Sequence, residues 1–198
     1  MSVTRKLWRG MMVMAIAAGV VAPASATTLV RASLEGLVKS NQKVVVGEVL
    51  DVNSHWNDEG TFILTEVKIA VADVLKGQVD TDELTVTVMG GRVGDLTTLI
   101  IGGPQLIPGR AYVMFLNNEA LPGAQALTVR DLCQGVFDIR NTADGARAVS
   151  QANGHPLLPD ALGYIDAPGG VEGIPFNAMV RSIRDIAATQ QVDNREVN

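Results

Sequence analysis

Residue types that carry acid–base, nucleophilic or metal chemistry are few in this sequence, and their spacing matches no catalytic pattern. The two histidines, His55 and His155, are one too few for a zinc site with three histidine ligands. Neither the His-Glu-x-x-His nor the Cys-x-x-Cys pattern of metal sites occurs, and the Gly-x-Ser-x-Gly elbow of serine hydrolases is absent. We therefore expect a protein that is not an enzyme and that holds no metal or other cofactor.

A single cysteine, Cys133, leaves one arrangement for nucleophilic catalysis. Its thiol would pair with the imidazole of His155, with Asp160 orienting the ring. The spacing of the three residues does not require this, and Cys133 lies beside strand-like sequence, which favours a buried, unreactive thiol. Because the chain has one cysteine it forms no internal disulfide, and the fold depends on its apolar core.

A polar stretch from Asn53 to Gly60 is predicted to be the solvated loop of a β-hairpin. The carboxylate and amide oxygens between Asp51 and Gly60 suit calcium, but the helical calcium-binding loop needs glycine at its sixth position, where this sequence, counted from Asp51, has Trp56. Trp56 has two interpretations. It is either an aromatic anchor for a partner or a cap on the end of a β-barrel.

A second glycine-rich segment begins at Gly90-Gly-Arg-Val-Gly94. It lacks the Lys-Ser/Thr that follows a phosphate-binding loop, so we interpret it as a turn that leaves Arg92 available to an anion. The 53–60 loop and the loops between residues 90 and 104 form the predicted contact surface for a partner. The candidate partner-binding residues are His55, Trp56, Asn57, Asp58, Arg92 and Gln105.

Alternation of apolar and polar residues predicts the elements that position these loops. Between residues 63 and 71 the odd positions suit a core, while Glu66 and Lys68 suit solvent. Residues 43–52 and 61–77 are therefore expected to form the two strands of the hairpin. Further strands are predicted at 84–89, 96–101, 111–116, 126–130 and 135–140, with a loop at 117–123 and a polar hairpin or loop at 141–159.

Two helices are predicted, one on each side of the β-rich region. Ser33 is a suitable N-cap for a two-turn helix that ends near Ser40. Near the end of the chain apolar residues recur at helical spacing from Pro175 to Thr189, with Pro175 in the first turn. This amphipathic helix needs an apolar surface, expected to be the outside or the open end of a barrel. Residues 191–198 are expected to be a disordered tail.

The first 26 residues are predicted to be a secretory signal peptide. Basic residues precede an apolar run from Met11 to Val21, and Ala24-Ser-Ala26 is a small-x-small cleavage site. The run is too short for a spanning helix, although a membrane anchor is the alternative. We expect cleavage after about Ala26, a single domain over residues 27–190, a periplasmic or secreted location, and no membrane insertion after cleavage.

The charge of the chain argues against polyanionic partners. The sequence has 16 basic and 21 acidic residues, a net charge of −5. The leader holds three of the basic residues and no acidic one, so 13 against 21 remain, a net charge of −8. Neither nucleic acid nor an anionic membrane surface is expected to bind such a chain.

The order of these segments resembles the oligonucleotide/oligosaccharide-binding (OB) fold of netrin-like and tissue-inhibitor-of-metalloproteinase domains, as it occurs in exported bacterial proteins. The resemblance is carried by residues 43–49 (KVVVGEV), 74–77 (VLKG), 84–88 (LTVTV) and 109–116 (GRAYVMFL). It implies a mainly β protein with minor α content, built on a small antiparallel OB-like barrel of five to six strands. The inhibitors use an amino-terminal cysteine, whereas the start expected here, Thr27-Thr-Leu-Val-Arg31, has none.

The functional prediction is an exported, non-enzymatic interaction module that engages another extracytoplasmic protein through the barrel loops. One alternative is an inhibitor or companion of a metalloprotease, which the resemblance implies. Another is a small-molecule or glycan binder that uses Trp56, Tyr112 or Tyr164 as a stacking surface. Only 4% of the residues are aromatic, which argues against a broad sugar-binding platform.

Overall fold

The computed structural model of the chain describes residues 30–153 and 172–196. The predicted leader, most of the predicted mature start, and His155, Asp160 and Tyr164 lie outside the described residues. The predictions made for those residues therefore stay predictions.

Strands dominate the described residues, and one helix lies near each end, so the predicted mainly β fold with minor α content is confirmed. The helices are α1 (Leu34–Ser40) and α2 (Phe176–Glu196), and a 3-10 helix spans Leu132–Gly135. The strands are β1 (Lys43–Trp56), β2 (Ile63–Lys76), β3 (Glu83–Met89), β4 (Gly91–Val93), β5 (Leu96–Thr98), β6 (Ala111–Leu121), β7 (Ala124–Val129), β8 (Val136–Thr142), β9 (Gly145–Ser150) and β10 (Ile174–Pro175).

One antiparallel sheet contains most of these strands. Its hydrogen-bonded order is β10-β9-β8-β6-β1-β2-β3, β7 pairs with β6, and β4 and β5 form a separate two-stranded ribbon. The third strand also approaches β7, without a hydrogen-bonded pairing between them. The described residues contain ten strands, whereas seven segments were predicted to be strands and five or six of them to form the barrel. The strands without a predicted counterpart are β9, which lies in the segment predicted as a polar hairpin or loop, and β4 and β10, which are too short to carry an alternating pattern.

Both faces of the sheet are buried at its central strands. Neighbouring residues of a strand point to opposite sides, and here each side contributes to a buried cluster. Val44 and Val46 of β1 contribute to a cluster that includes residues of both helices. Val45, between them, lies opposite Met114 of β6 and belongs to a second cluster on the other face. All four side chains are at most 7% exposed, which explains why these strands are almost continuously apolar.

The carboxy-terminal helix lies on the first of these faces, as a helix with an apolar stripe requires. Met179, Ile183 and Ala187 recur every fourth residue and are buried in the cluster formed with the sheet. Pro175 is not in the first turn as predicted, because it pairs with Arg147 of β9 before the helix begins. The helix then continues to Glu196, so the disordered tail predicted from residue 191 is wrong over these residues. Residues 191–196 contain neither glycine nor proline, so the helix meets no residue that would end it there.

The amino-terminal helix forms as predicted. The Ser33 hydroxyl accepts a hydrogen bond from the Gly36 N–H at 3.1 Å, and Leu37 and Val38 are buried. The helix ends at Ser40, and the N–H of Asn41 bonds back to the Leu37 carbonyl at 3.2 Å.

Three predicted boundaries are wrong. Strand β1 continues through Trp56, because Asn53 to Trp56 pair in register with Glu66 to Ile63. The predicted loop 117–123 is mostly strand, because β6 runs on to Leu121 and turns into β7. Of the strand predicted at 96–101, only Leu96–Thr98 is strand.

Candidate functional site

The described surface contains an open groove of about 940 Å³, here called the loop groove. Its floor is the part of the sheet near the β1–β2 hairpin. The residues that form it are Val52, Ser54, Thr65, Val67 and Val88. The β4–β5 ribbon and the segment 99–107 form one wall. Arg110, Tyr112, polar residues of β8 and the end of β9 also line the groove.

The ribbon is seated on the floor of the groove by close backbone contact. The Gly90 N–H donates to the Ile63 carbonyl at 2.9 Å, and the Thr65 hydroxyl donates to the Gly90 carbonyl at 2.6 Å. A Cβ at Gly91, whose φ is +134°, would overlap the hydroxyl oxygens of Thr65 and Ser54. Glycine is therefore required here both by the backbone conformation and by the approach of β4 to β1 and β2.

The segment 99–107 is irregular, yet its backbone is held to the sheet. The Gln151 side chain bonds to both backbone groups of Gln105: its Oε1 accepts from the Gln105 N–H at 2.9 Å, and its Nε2 donates to the Gln105 carbonyl at 2.7 Å. The same Nε2 donates to Asp138 Oδ1 at 3.0 Å. The Gln151 side chain thus makes the two backbone hydrogen bonds to Gln105 that a neighbouring strand would make in a sheet.

Further hydrogen bonds hold the remainder of the segment. The Cys133 N–H donates to the Gly102 carbonyl at 2.8 Å, and the Ile107 N–H donates to the Tyr112 hydroxyl at 3.0 Å. The Gly109 N–H donates to the Val49 carbonyl at 2.8 Å. The segment is therefore anchored at three points, with a fourth just beyond its end at Gly109, and its side chains project from a fixed backbone.

Large apolar side chains project from this part of the chain into solvent. Nine large hydrophobic residues of the described chain are exposed, and five of them fall between residues 89 and 107. Their exposed fractions are 38% for Met89, 60% for Leu96, 81% for Leu99, 66% for Ile101 and 41% for Ile107. Scattered exposed leucines are ordinary, but a cluster beside a groove is typical of an interaction surface.

The charged side chains in the groove lining are mostly basic. They are three arginines, Arg92, Arg110 and Arg140, and one carboxylate, Asp138. Arg140 forms an ion pair with Asp138, with 2.9 Å between Nη2 and Oδ2. Neither Arg92 nor Arg110 forms an ion pair with a described residue, and the Arg92 Nε donates to the Gly94 carbonyl at 3.0 Å.

The structure divides the predicted candidate residues between two places. Arg92 and Gln105 both line the loop groove. His55, Trp56, Asn57 and Asp58 lie together at the end of the β1–β2 hairpin and do not line the groove. Four of the six candidate residues therefore lie outside the groove lining, and the predicted contact surface stays a prediction.

The hairpin end is more ordered than a solvated loop. Asn57 is 5% exposed, and its Oδ1 accepts hydrogen bonds from the N–H groups of Thr61 and Phe62 at 2.8 and 2.9 Å. The His55 Nδ1 donates to the Trp56 carbonyl at 2.9 Å, and its Nε2 lies 3.8 Å from a Glu66 carboxylate oxygen. Asn57 closes the turn, and Trp56 remains 39% exposed beside it.

Two residues raised as chemical candidates are buried. Burial raises the pKa of the Cys133 thiol, and the residue is 4% exposed, as expected for an unreactive cysteine. Tyr112 is 1% exposed and its hydroxyl is hydrogen bonded, so its ring offers no stacking face to a sugar.

Leu99, Ile101 and Ile107 are the site residues that the sequence interpretation missed. A signal for them exists: Leu99-Ile-Ile101 and Leu106-Ile107 flank Gly102-Gly-Pro104, apolar residues within a turn-forming segment without alternation. The first run was assigned to a strand, which would have buried it.

No protein-family model and no curated protein sequence matches this chain.

In residues 30–153 and 172–196, no group of three or more His, Cys, Asp or Glu side chains is arranged to hold a metal ion. Within the same residues, no helix has the length and apolar character needed to cross a membrane.

Proposed function

We propose that this chain is an exported, non-enzymatic module that binds a segment of another extracytoplasmic protein along the loop groove. The observation that carries the proposal is the clustering of Leu99, Ile101 and Ile107 on one anchored segment that lines the loop groove. Apolar side chains exposed in this way lower the free energy of the complex when a partner covers them.

The anchoring of the segment also supports a binding role. A flexible apolar loop loses conformational entropy when it binds, which weakens the complex. Hydrogen bonds to Gly102, Gln105 and Ile107 hold this segment in place before a partner arrives. The main contribution to affinity is then expected from a few apolar side chains, as in other protein interfaces.

In this proposal the sheet is an OB-like barrel whose loops at one end form the site. The approach of β3 to β7, in addition to the pairing of β1 with both β2 and β6, supports this arrangement. An antiparallel barrel of this kind presents its loops as binding surfaces while its strands stay fixed.

Site-resolved photo-crosslinking tests the proposal. The photoreactive amino acid p-benzoylphenylalanine replaces Leu99, or the exposed Ala188 on α2 as the matched control, in the full chain made by the producing cells. Irradiation is expected to join the Leu99 variant to one exported protein and to leave the Ala188 variant without that product. An equal adduct from both positions, or none from Leu99, contradicts the proposal.

A further inference from the structure

We infer that the loop groove selects a partner segment in which carboxylate side chains accompany apolar ones. The inference rests on the proposed function and names the chemistry of its partner. The exposed apolar residues would contact the apolar side chains of that segment, and the arginines of the groove lining would bind its carboxylates.

The groove is basic in an otherwise acidic chain. Its lining carries three arginines and one aspartate, whereas the whole sequence has 16 basic and 21 acidic residues. Arg140 already pairs with Asp138, so Arg92 and Arg110 are the two arginines of the lining that have no ion pair to a described residue. A carboxylate that enters the groove meets these guanidinium groups, which recognise it through paired N–H donors.

The positive charge and the apolar surface occupy adjoining positions. Arg110 follows Ile107 by three residues, and Arg92 lies in the ribbon that leads into the segment 99–107. Both arginines are exposed, so their attraction for a carboxylate acts through solvent and depends on ionic strength. Apolar contact is then expected to provide most of the affinity and the arginines to provide the selection.

A nucleic acid also carries negative charge, but the rest of the molecule disfavours it. With a net charge of −5, the chain repels a long polyanion over most of its surface. A short acidic segment avoids this repulsion because it needs only the groove. We therefore assign the groove to a peptide segment, and an oligonucleotide serves as the competitor that tests this choice.

Fluorescence anisotropy with two synthetic peptides tests the inference. Both are labelled ten-residue peptides with four leucines in the same positions, and glutamate in one is replaced by lysine in the other. At low ionic strength the full-length protein is expected to bind the glutamate peptide about tenfold more tightly. Equal affinity, tighter binding of the lysine peptide, or displacement of the glutamate peptide by a single-stranded oligonucleotide of equal charge overturns the inference.

Matched variants locate the source of the preference. R92E and R110E are each expected to remove it, whereas R181E, which makes the same charge change on the exposed face of α2, is expected to keep it. Unchanged discrimination in both groove variants overturns the inference. All three side chains are exposed, and equal melting temperatures confirm that the variants remain folded.

The proposed function is separated from the inference by L99S/I101S. If both peptides bind equally and this double variant releases both, the groove is a binding site without charge selection, and only the inference fails. If neither peptide binds, the inference also fails, and photo-crosslinking at Leu99 then decides the proposed function independently.

Discussion

Lys76 connects the sheet to both helices by hydrogen bonds. From the end of β2 its ammonium group donates to the carbonyls of Val38 and Asn41 at the end of α1, and to Gln190 Oε1 on α2 at 2.8 Å. Burial lowers the pKa of this lysine, which shows that its environment penalises the charge. The hydrogen bonds offset that penalty by using the carbonyls that the helix end leaves without partners.

Replacing Lys76 with methionine is expected to lower the free energy of unfolding by about 2 kcal/mol, because the carbonyls of α1 lose a charged donor. Urea denaturation measures the change. The control is K68M, which removes an exposed lysine that lies 2.7 Å from Glu83 and is expected to have little effect. Equal losses in the two variants would show that the position of Lys76 between the helices is unimportant.

Tyr112 gives the molecule a specific dependence on alkaline pH. Burial raises its pKa above the ordinary 10.0, with a smaller contribution from Asp138, while the Ile107 N–H and Arg110 oppose the change. Between 10.0 and the raised pKa, the unfolded chain releases the phenolic proton and the folded chain retains it. The unfolded state is favoured as this happens, so stability falls as the pH rises above 10.

The variant Y112F is expected to lose this dependence. Unfolding free energies from urea titrations at pH 8 and pH 10.5 are compared for wild type and variant. The missing hydrogen bond to Ile107 should lower the variant by about 1 kcal/mol at pH 8. The wild type should lose more stability between the two pH values, so that this difference is smaller at pH 10.5. The same pH-dependent loss in both proteins would rule out Tyr112 as its source.

At the scale of elements, apolar contact attaches α2 to the sheet more strongly than charge does. Ile183 is fully buried, whereas the next residue, Arg184, places Nη2 2.8 Å from Asp73 on β2 with 52% of its side chain exposed. We expect I183A to cost about 2–5 kcal/mol and R184A less than about 1 kcal/mol. Thermal and urea unfolding of the two neighbouring variants decide this, and a larger loss in R184A would reverse the account.

The position of the β4–β5 ribbon depends on Gly91, where its backbone contacts β1 and β2. G91A is expected to displace the ribbon because its methyl group overlaps Ser54 and Thr65, and the groove wall moves with it. Gly94, in the same ribbon, also has positive φ (+59°), but no atom lies within 4 Å of an added Cβ. G94A should therefore cost only the backbone strain, about 1–2 kcal/mol, and keep the wall in place. Amide spectra that show equal changes around Ser54 in both variants would contradict this.

The sequence predicts elements where a repeating pattern is long enough to read. The hairpin of β1 and β2 and the stripe of α2 fall in this class, as does the Ser33 cap of α1. The ribbon does not, because strands of three residues show no periodicity. The end of β1 was mistaken for a loop because its residues are polar, and their strand conformation is set by pairing with β2.

For the whole molecule, the exposure of apolar side chains beside the loop groove is the property that sequence patterns did not predict. Leu99 and Ile101 have the residue types of a core, yet both are exposed on a segment whose backbone is hydrogen bonded at Gly102 and Gln105. Arg92 and Gln105 were selected from their loops, and the structure places both in the groove lining. The basic character of that lining was not predicted, because its residues come from distant parts of an acidic chain.

Affinity for the partner identified by crosslinking at Leu99 tests the central claim most directly. Dissociation constants are measured for the wild type, for L99S/I101S, and for L50S, which replaces another exposed leucine (44%) outside the groove lining. The account predicts that the double variant binds at least about tenfold more weakly and that L50S binds like the wild type. Wild-type affinity in L99S/I101S, with its fold intact, would contradict it.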